Sequence, residues 1–515
     1  MKKISLSFII CFSLSWVTCY ALTPQNKHDI QQSYRPAFHF TPDSMWMNDP
    51  NGLVYYKGVY HLFYQYYPHA TVWGPMHWGH ATSSDLVHWK HLPIALYPDS
   101  LGYIFSGSAV VDSNNTSGLG TKNNPPLIAV FAYHNPILEK LGSNKFQYIG
   151  MAYSLDNGKT WTKYAKNPIV PNPGVRDFRD SKVIWDTLTH RWIMAIAAGD
   201  EIQFYASSNL RHWTFQSSFG KTIGAHDGVW ECPDLFPLKV NGGKQTKWVL
   251  LVSINPGGPN GGSATQYFVG QFNGHQFTPD DTQTRWIDYG KNDYAGVTWS
   301  DIPAKDGRRI FLGWMSNWQY GEKVPTVKWR SAMTFPRTLS LVKDHGSYVL
   351  ESRPIREIAK LHTERVTLKP LQITGMKNIT TAVPFALSPM EMSITFRVES
   401  KNEGTFGMEL SNDRNEKLIV GYDAAKKQLF VDRRKSGIVS FSPDFPVVAT
   451  APCLLENHQL KLHILIDAAS IEVFAQNGTS VLTDIFFPTK PYNQLSLFSD
   501  KGTVEVDNMT LWKLK

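Results

Sequence analysis

Three acidic residues stand in surroundings that could do chemistry. Asp49 lies in Trp46-Met47-Asn48-Asp49-Pro50-Asn51-Gly52, Asp180 in Arg176-Asp177-Phe178-Arg179-Asp180-Ser181-Lys182-Val183, and Glu231 in Val229-Trp230-Glu231-Cys232-Pro233-Asp234-Leu235-Phe236. Pro50 and Gly52 point to a tight turn that would hold the Asp49 carboxylate in place. A fixed carboxylate beside an indole and amides suits a sugar ligand, because sugars stack on rings and hydrogen-bond to amides. Each string taken alone reads equally well as a cap, an Asx turn or a salt bridge. As a set, such acids can hydrolyse a glycoside without a metal. One protonates the leaving oxygen, a second attacks or stabilises an oxocarbenium-like centre, and a third holds ring hydroxyls as charge develops. Cys232 and Cys453 have no histidines at zinc spacing, so neither a metal nor another cofactor is expected.

The elements that must position these acids read as strands. From Pro36 to about Val349, short apolar or aromatic segments such as Tyr60-His61-Leu62-Phe63-Tyr64-Gln65 and Trp248-Val249-Leu250-Leu251-Val252 alternate with Gly, Asn, Asp and Pro. No long window keeps a 3.6-residue period, which makes the region all-β. An internal echo refines this. Ser83 to Trp89, Ser154 to Trp161 and Ser207 to Trp213 share a Ser, an Asp or Asn, a turn and a closing Trp, with a weaker copy at Gln271 to Phe277. Copies roughly 50 to 70 residues apart are what β-propeller blades leave in sequence, and the region accommodates about five. Each acid opens a strand after a turn-rich stretch. On innermost propeller strands the three would face one central channel from separate blades.

The propeller is expected over residues 30–352, followed by a short helical linker at 353–362. Beyond it, Leu460, Leu462, Ile464 and Ile466 alternate with polar residues, which predicts a β-sandwich over 363–515. Residues 1–21 read as an export signal, with Lys2 and Lys3 before an apolar run and a small-residue cleavage site; lipid attachment at Cys19 is a second reading of the same segment. No later apolar run reaches the roughly 18 residues of a membrane span. The formal charge of +8 is spread over scattered Lys and Arg, a solvated surface that excludes a nucleic-acid stripe. With 17 Trp, 22 Tyr and 28 Phe but only 18% charged residues, the composition favours packed sheets and suits a carbohydrate partner. The oligomeric state is left open.

Taken together and in this order, WMNDPNG, Phe178-Arg179-Asp180 and Glu231-Cys232-Pro233 resemble glycoside hydrolase family 32, the retaining β-fructofuranosidases. The likeness runs from His39-Phe40-Thr41-Pro42 through Trp73 to His80, Phe105-Ser106-Gly107-Ser108 and Gly313 to Trp318 into the C-terminal region. The resemblance implies an all-β, five-bladed β-propeller followed by a C-terminal β-sandwich. It also implies Asp49 as nucleophile, Asp180 as transition-state stabiliser and Glu231 as acid/base. Should Glu231 fail in that role, the neighbouring Asp234 is the next candidate. The pocket the resemblance implies is lined by Asn48, Gln65, Trp73, Phe105, Ser106, Arg179 and Trp314, while Trp78 is assigned to the core. Ser181 departs from the family, which has Pro there. The wording of Trp73 to Ala81 and of Ile104 to Asp112 is closer to exo-acting fructanases, which release fructose from levan, inulin or sucrose, than to plant invertases. Alternatives are an invertase acting mainly on sucrose, an endo-acting fructanase, a non-catalytic fructan-binding protein, and a sialidase suggested by the turn at Ser154 to Trp161.

Overall fold

The computed structural model describes residues 34–344, 346–398 and 404–515. The segment 1–21, with Cys19, lies outside the described residues. Five sheets, antiparallel apart from one short strand, follow one another as far as Pro354, and an eleven-stranded sheet takes up the remainder. The first strands of the five sheets are Met45–Tyr56, Tyr103–Val111, Phe178–Asp186, Val229–Lys239 and Tyr294–Thr298; each packs against the next, and the last against the first. That closed ring is a five-bladed β-propeller with these strands around its axis. The ring is closed by Trp329–Arg330 running parallel to Met45–Trp46, and by Ser300, whose N–H donates to Leu53 O (2.8 Å) and whose carbonyl accepts from Tyr55 N (3.0 Å).

Central strands such as Leu127–His134 and Arg191–Ala198 are apolar on both faces because each blade is covered by a neighbour on either side. Phe63, Trp78, Phe131 and Tyr133 pack between the first and second blades, and Val130 with Met194 and Ile196 between the second and third. Ile193 and Phe204 with Leu250 and Phe268 fill the next gap, and Phe236 and Leu251 with Phe311 and Leu341 the one after. The repeated Ser-to-Trp strings all connect the third and fourth strands of their blades. Their serines cap the turns: Ser83 Oγ accepts from Leu86 N (2.8 Å), Ser154 Oγ from Gly158 N (2.9 Å) and Ser207 Oγ from Asn209 N (3.1 Å). Trp161 and Trp213 close theirs by donating from Nε1 to the carbonyls of Gly158 and Leu210.

Arg356–Leu361, read as briefly helical, is a 3-10 helix leading into the second domain. There the predicted alternation holds, with Leu460, Leu462, Ile464 and Ile466 all in the buried core. The 21-residue strand Gln494–Leu514 pairs along one half with Thr405–Ser411 and along the other with Met390–Arg397, which joins the layers of a β-sandwich.

The domains share one interior. Leu465, Phe474, Val481 and Leu514 of the sandwich pack with Leu53, Leu62, Ile310 and Phe335 of the propeller. Between them Arg337, wholly buried, donates from Nη1 to Asp288 (2.8 Å) and Asp293 (2.9 Å) and from Nε to Glu472 (3.1 Å). His39 bridges Asp467 (2.8 Å) and Glu472 (2.7 Å).

Candidate active site

Every inner strand breaks regular pairing, and in the first four it does so at or beside a residue singled out above. Register slips around Asn48 and Asp49 in the first blade, around Phe105 and Ser106 in the second, and opposite Ile196 at Asp180 and Ser181 in the third. It slips again between Glu231 and Asp234 in the fourth and between Tyr294 and Val297 in the fifth. A bulge re-aims a side chain without ending the strand, and here it turns five sets of side chains toward the axis. Asp180 (φ 62°), Cys232 (φ 46°) and Ala295 (φ 53°) take up left-handed backbone to do so. The tight turn expected at Pro50 to Gly52 is corrected accordingly. Met45–Tyr56 is one strand with two bulges, and the turn-forming residues serve the bulges: Pro50 donates no N–H, and Gly52 supplies a φ of 53°.

The three acids meet at one end of the axis. Asp49 accepts from Ser106 Oγ (2.7 Å) and from Asn48 Nδ2 (3.0 Å), and Asn48 is itself oriented by Trp46 Nε1 (2.8 Å). The Cys232 thiol lies 3.6 Å from both Asp49 Oδ2 and Asp180 Oδ2, and its backbone N–H donates to Asp180 (3.2 Å). Arg179 donates from Nη2 (2.9 Å) and Nε (3.2 Å) to Glu231 Oε1, stands 3.7 Å from Asp180, and is held behind by Asp177 (2.7 Å) and Gln147 (3.2 Å). The other oxygen of Glu231 accepts from the Tyr294 hydroxyl.

Burial raises the pKa of Asp49, helped by the charge of Glu231 and opposed by the Ser106 hydrogen bond. Burial likewise pushes Asp180 up to about 7 against the pull of Arg179, with Glu231 and Asp49 adding like charge. The Cys232 thiol and Tyr294 hydroxyl are both driven up by burial among these carboxylates, which keeps each protonated and able to donate. Burial alone would lower Arg179, but Glu231, Asp180 and Asp177 outweigh it and keep the guanidinium charged.

The remaining predicted residues divide between this cluster and its surroundings. Gln65 is buried and its Nε2 has no protein partner, which leaves a donor free for a ligand. Phe105 stacks on His134 (4.4 Å) and meets Trp73 edge-on (6.0 Å), and Trp73 is 37% exposed. Trp314 is fully buried, packed behind Trp46 and Trp318. Trp318 is instead the indole that lines a surface groove with Trp73, Gln319 and Glu322. Asp234 is not placed as a reserve acid. It is wholly buried, pairs with Lys182 (3.1 Å) and accepts from Thr298 N, so it ties the third, fourth and fifth blades together. Ser181, at the departure from the family pattern, donates to Val130 O (3.2 Å) of the second blade. Sequence reasoning passed over Tyr294, although Asn292-Asp293-Tyr294-Ala295-Gly296 has the same mix of amide, acid, ring and glycine as WMNDPNG. Among the described residues no three His, Cys, Asp or Glu side chains are grouped to hold a metal ion.

This arrangement has known counterparts. The glycosyl hydrolases family 32 N-terminal domain matches residues 39–353, and the C-terminal domain of the same family matches residues 357–513. A levanase of Bacillus subtilis is 45% identical over 519 residues, which span 100% of this chain and 75% of the levanase. An extracellular exo-inulinase of Aspergillus ficuum is 40% identical over 92% of this chain and 93% of its own. The crystal structure of the exo-inulinase from Aspergillus awamori superposes with a TM-score of 0.87 at 37% identity, covering 94% of this chain and 99% of that one. A β-fructofuranosidase from Schwanniomyces occidentalis, complexed with fructosyl-erythritol, gives 0.85 at 32% identity over 94% and 98%. The chain belongs to glycosyl hydrolases family 32.

Proposed function

We propose that the protein is an exo-acting β-fructosidase that releases fructose from the ends of levan or inulin chains and from sucrose, with retention of configuration. The observation that carries this is the joining of Asp49, Asp180 and the partly exposed Glu231 into one network through the Cys232 thiol and Arg179. In the first step Glu231 protonates the glycosidic oxygen while Asp49 attacks the anomeric carbon, giving a covalent fructosyl-enzyme and a free leaving group. In the second, Glu231 takes a proton from water, the water displaces Asp49, and β-fructose leaves. Asp180 holds ring hydroxyls as the oxocarbenium-like charge develops, and Asn48, Gln65, Phe105, Ser106, Arg179 and Trp73 shape the pocket, with Trp314 supporting it from behind.

A product time course on inulin, levan and sucrose tests the reading: fructose should be the sole product at the earliest times, and early oligosaccharides would replace the exo reading with an endo one. Consistent with action on polymers outside the cell, we read residues 1–21 as an export signal, with lipid attachment at Cys19 as its finer form. The mass of the exported protein's N-terminal peptide separates the two.

A further inference from the structure

The structure points to a catalytic task for the sandwich domain. Its strand Ser480–Ile485 grips the segment 287–293 along its length. Tyr289 N donates to Val481 O (2.8 Å) and Asn292 N to Thr483 O (3.0 Å). Asp288 accepts from Thr483 N (3.0 Å) and Thr483 Oγ1 (2.6 Å), and Asn292 Oδ1 from Arg433 Nη1 (2.8 Å) and Ile485 N (3.2 Å). The approach is so close at Gly290 that a Cβ there would lie 2.1 Å from Thr483 N. Arg337 locks the far end by bonding Asp293, Asp288 and Thr483 Oγ1 together. The next residue is Tyr294, 1% exposed, whose hydroxyl donates to Glu231.

We propose that Tyr294 is a positioning residue for Glu231, and that the sandwich sets its place through the segment 287–293. The proposal rests on the acid/base reading of Glu231. With Oε1 occupied by Arg179, the oxygen that exchanges protons with substrate and water is Oε2, the one Tyr294 holds. The charged and titratable groups around Glu231 are Arg179 and Asp180 from the third blade, Asp49 from the first, Cys232 beside it and Tyr294 from the fifth. Of these, Tyr294 is fastened to the sandwich by the hydrogen bonds of its chain neighbours. Its hydroxyl stabilises the carboxylate form, so its removal lets the acid form persist to higher pH.

The test compares pH profiles of kcat/KM on sucrose. Glu231→Gln is measured first: if it keeps the wild-type basic limb, the acid/base reading fails, whatever Tyr294 does. With that reading intact, Tyr294→Phe should move the basic limb up by about one pH unit or more, with KM changed less than about twofold. Thr483→Val, far from any substrate contact, should move it in the same direction by less, and the double variant should move it no further than Tyr294→Phe alone. An unmoved limb in Tyr294→Phe overturns the proposal. So does a Thr483→Val protein that is merely less heat-stable with an unchanged profile. If Thr483→Val does not accumulate as folded protein, Asn292→Ser, which releases the same segment from Arg433 and Ile485, is judged by the same criterion.

Discussion

Asp49 accepts hydrogen bonds from Ser106 and Asn48 and shares the Cys232 thiol with Asp180, so its position is fixed by neighbours that an amide could also satisfy. Asp49→Asn should therefore fold with a melting temperature near the wild type while turnover falls by about four or more powers of ten, the loss expected when the group that forms the covalent bond is removed. More than about a tenth of the activity left in the variant would remove Asp49 from the nucleophile's role. Asp180 makes a pH prediction with a definite sign. Its pKa rises from 3.8 unfolded to about 7 folded, so between those values the folded chain binds the proton and the unfolded chain does not. That contribution to stability is present in full below pH 3.8 and is lost as pH rises through 7. Asp180→Asn has no charge to bury. Its melting temperature relative to the wild type should climb between pH 4 and pH 8, and a flat difference would contradict the raised pKa.

At the scale of the strand, the bulges decide where these side chains point, and the cost of each is concentrated in one or two backbone positions. Gly52 shows this most clearly, because its φ is 53° and an added Cβ would lie 2.6 Å from the Phe63 ring and 2.8 Å from Trp78. Left-handed backbone and overpacking together predict that Gly52→Ala destabilises by about 2–5 kcal/mol. Because the same strand carries Asp49 three residues earlier, activity should fall further than the loss of folded protein accounts for. Urea unfolding beside an active-site titration separates the two; full specific activity in the folded fraction would mean that the bulge does not aim Asp49.

At the scale of the molecule, propeller and sandwich are one cooperative unit. They share an apolar cluster, and the Arg337 charge is satisfied from both sides. Losing one side would leave buried charge without its partners, a cost that separate unfolding of the domains would have to meet. Calorimetry should therefore show a single transition, and two resolved transitions would refute the coupling. His39 gives that interface its own pH dependence. Burial pulls its pKa down, but Asp467 and Glu472 outweigh this and raise it to about 9 from 6.5. The protonated form thus contributes stability that is complete below pH 6.5 and lost as pH rises through 9. His39→Gln should be clearly less stable than the wild type at pH 6, with the gap narrowing by pH 10.

What the sequence determined by itself was carried by local chemistry. Strand-forming segments broken by turn residues, and the repeated Ser-to-Trp turns, pointed to the propeller, because the last turn of three blades is capped by a serine in the same way. Period-2 alternation spelled out the sandwich, since one face of each strand is buried. Asp49, Asp180 and Glu231 could be singled out only as a set, because each string alone is compatible with a cap or a salt bridge and it is their order together that resembles the family. Tertiary structure decided the rest, for reasons that are non-local. Pro50 and Gly52 have turn chemistry, but pairing with Val59–Tyr67 turns it into bulges. Trp314 and Trp318 look alike in sequence and both meet Trp46, and only the further packing of Tyr294 on Trp314 separates the covered indole from the one at the surface. Asp234 reads as a spare acid until Lys182, 52 positions away, is seen to hold it. Tyr294 reaches Glu231 across 63 positions, from a segment held by a domain that begins only after the propeller has closed. No spacing rule links residues so distant, because what brings them together is the closure of the ring and the docking of the sandwich against it.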